Sequence, residues 1–347
     1  MDTMKVAMYY NNNDVRIEEQ PVPTINEQEL LVKIVASGIC GSDVMEWYRI
    51  KKAPRVLGHE IAGDIVQVGA QVKTFRVGDR VFVSHHVPDN TCRFCLNDQH
   101  TLCHTLHATN FYPGGFAEFL RVPAINVDRG TFLLPAEVSY EEGVFIEPLA
   151  CVIRGLRTAR MKPGQTVVVI GNGISGLLFL KLARAWGAGR VVATDIDSYR
   201  LNAAKKAGAD QTINAKENVP EEIKKLNDGR LADLVIIATG VPAAVQQGLR
   251  SAQEGGTILF FAPVEPGRDI PFPLFDLWNR QITMVSTYAG SPKDLQLAID
   301  LLAQKKVPVI DLITHRLPLE EIAKGFQLVA RAQNSIKVII EPGMKTE

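Results

Sequence analysis

The 347-residue chain has no excess of charge of either sign, its 38 Lys and Arg being matched by 38 Asp and Glu. That balance argues against a nucleic-acid groove, a polybasic membrane patch or an acidic tail. No apolar run approaches the ~20 residues that a membrane-spanning helix requires. The opening MDTMKVAMYYNNN lacks a basic stretch followed by an apolar one, so no secretory signal is expected and the cytosol is the expected location. Cysteine is scarce and odd in number: Cys40, Cys92, Cys95, Cys103 and Cys151. Five thiols in a long chain without an export signal do not make a disulfide framework. Internal repeats and low-complexity segments are also missing. What is present is ordinary for a globular protein, 46% apolar and 22% charged, and the length allows two domains, each with its own core.

To about residue 150 the chain reads as β-rich. ELLVKIVASG and EIAGDIVQVG alternate roughly with period two and end on glycine, as strands do. Pro21, Pro23, Gly78–Asp79 and Gly114–Gly115 mark turns between them. The character changes near residue 160. Strands are predicted at TVVVI (166–170), RVVAT (190–194), DLVIIA (233–238), GTILFF (256–261) and ITMVS (282–286). Helical stretches at 174–186, 198–207 and 241–253 separate them. Continuous apolar strands alternating with helices imply a parallel sheet covered on both faces, the doubly wound α/β plan that binds nucleotides. After about residue 290 come a helix (PKDLQLAIDLLAQKK), a second short helix and a final strand, SIKVIIEP.

VVVIGNGISG places Gly171, Gly173 and Gly176 in G-x-G-x-x-G register, directly after a strand and opening a helix. The first glycine permits a tight turn, the second lets a pyrophosphate approach the backbone, and the third lets helix and strand pack closely. The pyrophosphate would then sit on the N–H groups of the helix start, those of Ile174 and Ser175 among them. The next strand ends in Asp195, about 20 residues on, where an acid can bind the adenosine ribose hydroxyls and repel a 2′-phosphate. NAD(H) is therefore the expected coenzyme; Arg200, nearby, could soften that preference or be a surface arginine.

DNTCRFCLNDQHTLC spaces Asp89, Cys92, Cys95 and Cys103 as D-x2-C-x2-C-x7-C. Three thiolates and a carboxylate on one short loop can close a tetrahedral zinc site, structural because no position is left open. Asn90, His100 and His104 compete with Asp89 for the fourth place. A second set is dispersed: Cys40, Ser42 and Asp43 in GICGSD, His59 and Glu60 in LGHE, and Glu147 in FIEPLA. Three protein ligands and one open position define a catalytic zinc.

The order of these motifs, with VGDRV, GGFAEF and EPLA between them, resembles the medium-chain zinc-dependent dehydrogenase/reductase superfamily over the whole length, and its sorbitol (polyol) dehydrogenase branch in particular. The resemblance implies a GroES-like catalytic domain (1–155), a Rossmann coenzyme domain (156–290) and a C-terminal segment (291–347) that returns to the first, with the active site in the cleft between domains. It also implies a homodimer or homotetramer and a small-molecule alcohol or ketone as substrate, with neither nucleic acid nor membrane as partner. By resemblance Cys40, His59 and Glu147 would hold the catalytic zinc, with Glu60 behind it as intermittent ligand or electrostatic partner. Ser42 would accept the alcohol proton, Thr239 and Phe261 would flank the nicotinamide, and Trp47, Tyr48 and Phe111 would line the substrate's entry. The chain departs from the family pattern twice: Asp89 stands where the metal loop usually begins with Cys, and Met45 where a proton-relaying His is common.

The reading is thus a zinc-dependent, NAD-linked oxidation of a secondary alcohol, a polyol, sugar or cyclitol, with His85 and His86 as candidates to bind further hydroxyls. Two alternatives stand beside it: an amino-alcohol dehydrogenase of the threonine type, and a non-catalytic relative that only binds nucleotide.

Overall fold

The strand–helix alternation after residue 160 builds a six-stranded, all-parallel sheet. Its order is Gln211–Asn214, Arg190–Asp195, Thr166–Ile170, Ala232–Ile237, Ala252–Phe260 and Thr283–Ser286. The structure, a computed structural model, describes residues 2–332 and 334–344. Thr166–Ile170 is buried at every position because strands flank it on both sides and helices cover its faces. Val168, Ile170, Val192, Val235, Ile237 and Ile258 form the centre of this core. The chain leaves Thr166–Ile170 toward one edge of the sheet and later returns to its other side at Ala232–Ile237. The strand order reverses there, and the carboxyl ends of strands at such a point are where open α/β sheets bind ligands.

Two elements differ from the sequence-based expectation. The helix expected over 241–253 ends at Leu249, and a strand begins at Ala252, four residues before the expected GTILFF. Glu254–Gly255–Gly256 looks like a turn in sequence, yet it lies inside this strand, where the pairing with Ala232–Ile237 shifts register between Ala232 and Leu234. The strand Gln211–Asn214 and the helix Val219–Leu226 carry no clear signal in the sequence. Gln211–Asn214 is an edge strand that buries only Ile213, so no apolar run marks it.

The chain folds into two compact units, one made of residues through Ala150 together with those from Gly290 onward, the other of Cys151–Ala289. The first unit is built on a mixed sheet. Leu30–Gly38 lies antiparallel to Glu60–Val68 on one side, and near its end to Lys337–Glu341 on the other. Its core gathers Tyr9, Phe116 and Phe326, with ring centroids 5.7 Å apart in both the Tyr9–Phe326 and Phe116–Phe326 pairs. The register sets Gly38 opposite Glu60 on one neighbour and opposite Ile339 on the other. Residues just past the end of one strand and just before the start of the next therefore emerge at the same end of the sheet. Among the described residues no helix is long and apolar enough to cross a membrane.

Candidate metal and coenzyme sites

Cys40 follows the strand Leu30–Gly38 by two residues, and His59 precedes Glu60–Val68 by one. The antiparallel register brings them together, and the donor atoms of Cys40, His59 and Glu60 all lie within 4.8 Å of one another. The short turn Gly41–Val44 shapes the site. Cys40 caps it, its sulfur accepting the Ser42 N–H at 3.4 Å, while the Asp43 carboxylate accepts the Cys40 N–H at 3.0 Å. Asp43 is fully buried, and its Oδ1 lies 3.4 Å from His59 Nδ1 and 3.5 Å from Arg49 Nη2. Burial would raise the Asp43 carboxyl, but His59, Arg49 and the Cys40 N–H outweigh it and hold it below its ordinary value. Burial likewise opposes a charged His59; Asp43 and the Cys40 sulfur overcome this and hold the imidazole well above its usual value. Asp43 thereby occupies His59 Nδ1, the arrangement by which a carboxylate orients a metal-binding histidine, while the ring also faces the Cys40 sulfur.

Glu60 is fully buried, and its Oε1 has no hydrogen-bond partner among the described residues. An orphaned buried carboxylate oxygen costs free energy unless something binds it. A thiolate, an imidazole and a carboxylate around one point suit zinc. Glu147 lies half-buried in the first turn of the helix Ile146–Thr158.

Arg49, beside this cluster, has no signal in the sequence that points to its place, whereas His85, which also lies there, is one of the pair of histidines the sequence singles out. Arg49 donates to the Ser42 carbonyl (2.9 Å) and to Ser42 Oγ (3.0 Å), and its guanidinium stacks on Tyr48 at 4.8 Å. His85 packs its ring 4.9 Å from that of His59 and 3.8 Å from that of His86. Burial, reinforced by the neighbouring cations, pushes His85 well below its usual value, and burial takes His86 down to about 3, so both imidazoles are neutral at neutral pH. Phe111 is 3% exposed and belongs to the core while touching His85 edge-on, whereas Tyr48 is 37% exposed. Trp47 is half-buried, its ring 5.8 Å from that of Tyr48.

The donor atoms of Asp89, Cys92, Cys95 and Cys103 form the second group within 4.8 Å. Asp89 Oδ1 accepts the N–H groups of Thr91 and Cys92, both at 2.8 Å, and these backbone donors hold its carboxyl far below the ordinary range. Its Oδ2 lies 3.3 Å from Cys103 Sγ, and Cys92 Sγ lies 3.6 Å from Cys95 Sγ, all as free thiols. Asn90 takes the left-handed backbone region (φ 62°), His100 Nδ1 faces Asp98 at 3.5 Å, and His104 packs on Phe94. Three sulfurs and one carboxylate oxygen fit a closed tetrahedral zinc site.

In the second unit, Gly171 takes φ +88°, and a Cβ on Gly176 would collide with the Gly171 carbonyl oxygen. A Cβ on Gly173, which caps the helix Ile174–Ala185, would meet nothing within 4 Å. That open space, beside the unsatisfied N–H groups of the helix's first turn at Ile174, Ser175 and Gly176, suits a pyrophosphate. Asn172, unmarked in the sequence, is fully buried, ties its side chain to the Thr194 carbonyl (2.8 Å) and gives its N–H to Asp195 Oδ2 (2.7 Å). Asp195 Oδ1 accepts the Asp197 N–H at 3.0 Å, so the acid is held in one orientation at its strand end. Arg200 is half-buried, and its Nε is buried without a partner among the described residues. Thr239 packs against Gly171 from the end of Ala232–Ile237, and Phe261 meets Phe179 edge-on at 4.8 Å.

Comparison with known proteins finds matches over nearly the whole chain. Residues 26–129 match the alcohol dehydrogenase GroES-like domain and residues 175–304 the zinc-binding dehydrogenase domain. A sorbitol dehydrogenase of Bacillus subtilis (strain 168) is 34% identical, over 98% of this chain and 97% of its own. The galactitol-1-phosphate dehydrogenase structure from Escherichia coli is 30% identical with TM-score 0.87, covering 98% of this chain and 100% of that one. A structure from Sinorhizobium meliloti 1021 bound to NADP is 27% identical with TM-score 0.88, covering 99% of this chain and 100% of that one.

Proposed function

Because the chain belongs to the zinc-dependent medium-chain dehydrogenases, in their polyol dehydrogenase-like branch, we propose that it interconverts a secondary alcohol and its ketone. The substrate class is a polyol, sugar or cyclitol, and the hydride partner is NAD(H). The observation that carries this reading is the cluster of Cys40, His59 and Glu60 donors, half-buried at the first two and fully buried at Glu60, with one oxygen of Glu60 left unpartnered. Cys40, His59 and Glu147 would hold the catalytic zinc, and Asp89, Cys92, Cys95 and Cys103 a structural one.

Bound zinc supplies Lewis-acid stabilisation of negative charge on the substrate oxygen, and the nicotinamide supplies or accepts the hydride. The chain's own residues orient the reactants and move the proton. Ser42 Oγ already accepts from Arg49, which fixes the hydroxyl and leaves it able to take the alcohol proton while giving up its own. Arg49 cannot accept that proton, since a guanidinium has no acceptor atom, and Met45 cannot carry it either. The relay from Ser42 therefore ends on water, Glu46 or another group able to accept a proton.

His85 offers a neutral imidazole, its Nδ1 buried without a partner among the described residues, beside a metal-binding histidine. It would bind a hydroxyl next to the reacting carbon. His85→Ala should raise KM for a polyol about tenfold, within the 1–3 kcal/mol left by an unsatisfied buried group, with kcat changed far less. Equal KM for polyols and for simple secondary alcohols in the variant relative to the parent would remove His85 from the substrate site.

The coenzyme preference rests on Asp195. Asp195→Asn keeps an acceptor for the Asn172 N–H and removes the charge that repels a 2′-phosphate. The kcat/KM ratio for NADP over NAD should rise about tenfold, or 1.4 kcal/mol. An unchanged ratio would assign the choice to another group, and Arg200, with its free buried N–H, would be the next to test.

The experiment that tests the whole reading is zinc content per chain, followed by NAD reduction against polyols, sugars and amino alcohols. About two zincs with polyol-dependent NADH formation supports it. Preferential turnover of an amino alcohol favours the threonine-type alternative, and coenzyme binding without zinc or turnover favours a non-catalytic role.

A further inference from the structure

Lys337 is fully buried, and it ends in an ion pair with the equally buried Glu60. The partners lie 277 positions apart in the chain. The sheet register brings them together: Glu60 and Ile339 stand on the two strands that flank Gly38. A Cβ on Gly38 would collide with Glu60 Oε2 and come within 2.8 Å of Lys337 Cε, so glycine at this crossing makes room for the pair. The Phe145 ring closes the other side, its centroid 5.5 Å from Lys337 Nζ.

Burying two opposite charges costs several kcal/mol per ion before their attraction is counted, so such a pair is weak as a source of stability. Its position suggests a different use. Lys337 takes only Oε2 of Glu60. Oε1 is left unpartnered on a carboxylate that shares one cluster of donors with Cys40 and His59. A buried carboxylate without a countercharge would satisfy itself on a nearby cation and stay there. A catalytic zinc needs one position free for substrate.

We propose that Lys337 is a positioning residue that restrains Glu60 from becoming a standing ligand of the catalytic metal, and so keeps a coordination position open. This rests on the reading of Cys40 and His59 as ligands of that metal. Glu60 would touch the ion only intermittently while its charge is shared with Lys337; released, it would close the site.

The test compares Lys337→Met with the parent holoenzyme in two measurements that need no turnover. The first is the rate at which zinc from the Cys40 site passes to a chelator. The second is the visible absorption of the enzyme with cobalt(II) in that site, which weakens as an oxygen ligand is added. Lys337→Met should release zinc about tenfold more slowly, at the lower end of the range for groups acting behind metal ligands, and should show the weaker cobalt band. Lys337→Arg should behave like the parent. In a Glu60→Gln background, Lys337→Met should have no further effect on either measurement.

Zinc release at or above the parent rate, an unchanged cobalt spectrum, or a Lys337 effect that persists in Glu60→Gln would each overturn the proposal. Should Lys337→Met fail to fold, Lys337→Gln, uncharged yet able to donate to Glu60, is read by the same criteria. A Cys40→Ala control separates the two levels: if it retains its zinc, the metal-site reading has failed, and not only the role of Lys337.

Discussion

Cys40→Ala and His59→Ala should each lower alcohol-dependent reduction of the coenzyme by about a thousandfold or more, the equivalent of roughly 4 kcal/mol of lost transition-state stabilisation. The loss follows from the donor set. With a sulfur or an imidazole removed, only two of the three proposed ligands Cys40, His59 and Glu147 remain, too few to retain a catalytic ion in a three-ligand site. His59→Ala also strands Asp43, a fully buried carboxylate that would keep, among the described residues, Arg49 and the Cys40 N–H as partners. Coenzyme binding should be unaffected, because Gly171, Gly173, Gly176 and Asp195 belong to the other unit of the chain. NADH fluorescence at parental affinity, with one zinc equivalent lost and turnover absent, is the expected combination. Full turnover in a Cys40→Ala protein shown to lack that zinc would end the zinc-based mechanism.

Most of what makes this prediction possible can be read without coordinates, for a physical reason. Cys40 and His59 belong to short motifs whose residue types carry metal chemistry wherever the fold places them. The coenzyme loop is equally legible: a fully buried strand shows as a continuous apolar run, and the glycines after it answer local needs, a positive φ at Gly171 and a close approach at Gly176. The groups that tune the site are different. Arg49 sits in WYRI, where nothing marks it as the partner of Ser42, and Lys337 sits in IKVII, where it looks like the outward residue of an edge strand. Both acquire their roles from the register of distant strands or from a turn that folds back, and neither leaves a periodic signature. Asn172 is hidden between two glycines for a similar reason: its side chain acts on Thr194, a neighbour created by the parallel pairing of two strands.

The metal loop carries the second large effect. Cys103→Ala should shed one zinc equivalent and lower thermal stability, while the metal at Cys40 and His59 stays in place. The loop has little else to hold it. Between Asp89 and Ala108 the regular structure is limited to the short turns Arg93–Leu96, His100–Leu102 and His104–Ala108. Its own core consists of Cys95, Cys103 and Leu106 with Cys92 packed against them, so the ligands themselves make up most of the buried surface. Leu96, at 75% exposed, and Leu102, at 50%, contribute little. In such segments metal-binding free energy is folding free energy. A loss of about 3 kcal/mol would lower Tm by roughly 6–12 °C for a unit of this size. Asp89→Ala should act in the same direction, since it removes both the acceptor of the Thr91 and Cys92 N–H groups and the oxygen facing Cys103. Asp89→Cys separates those two contributions: it restores a ligand of the usual kind, while its sulfur is a much weaker acceptor of the Thr91 and Cys92 N–H groups than the carboxylate. If zinc retention against a chelator recovers in Asp89→Cys but Tm does not, the carboxylate acts mainly by organising the loop; if both recover, ligation is its main contribution. Protease cleavage within residues 90–104 provides the independent readout, because a largely exposed loop that loses its metal is freed to adopt the extended conformation a protease needs. Unchanged zinc content, Tm and cleavage in Cys103→Ala would mean that packing alone holds the loop and that its thiols bind no metal.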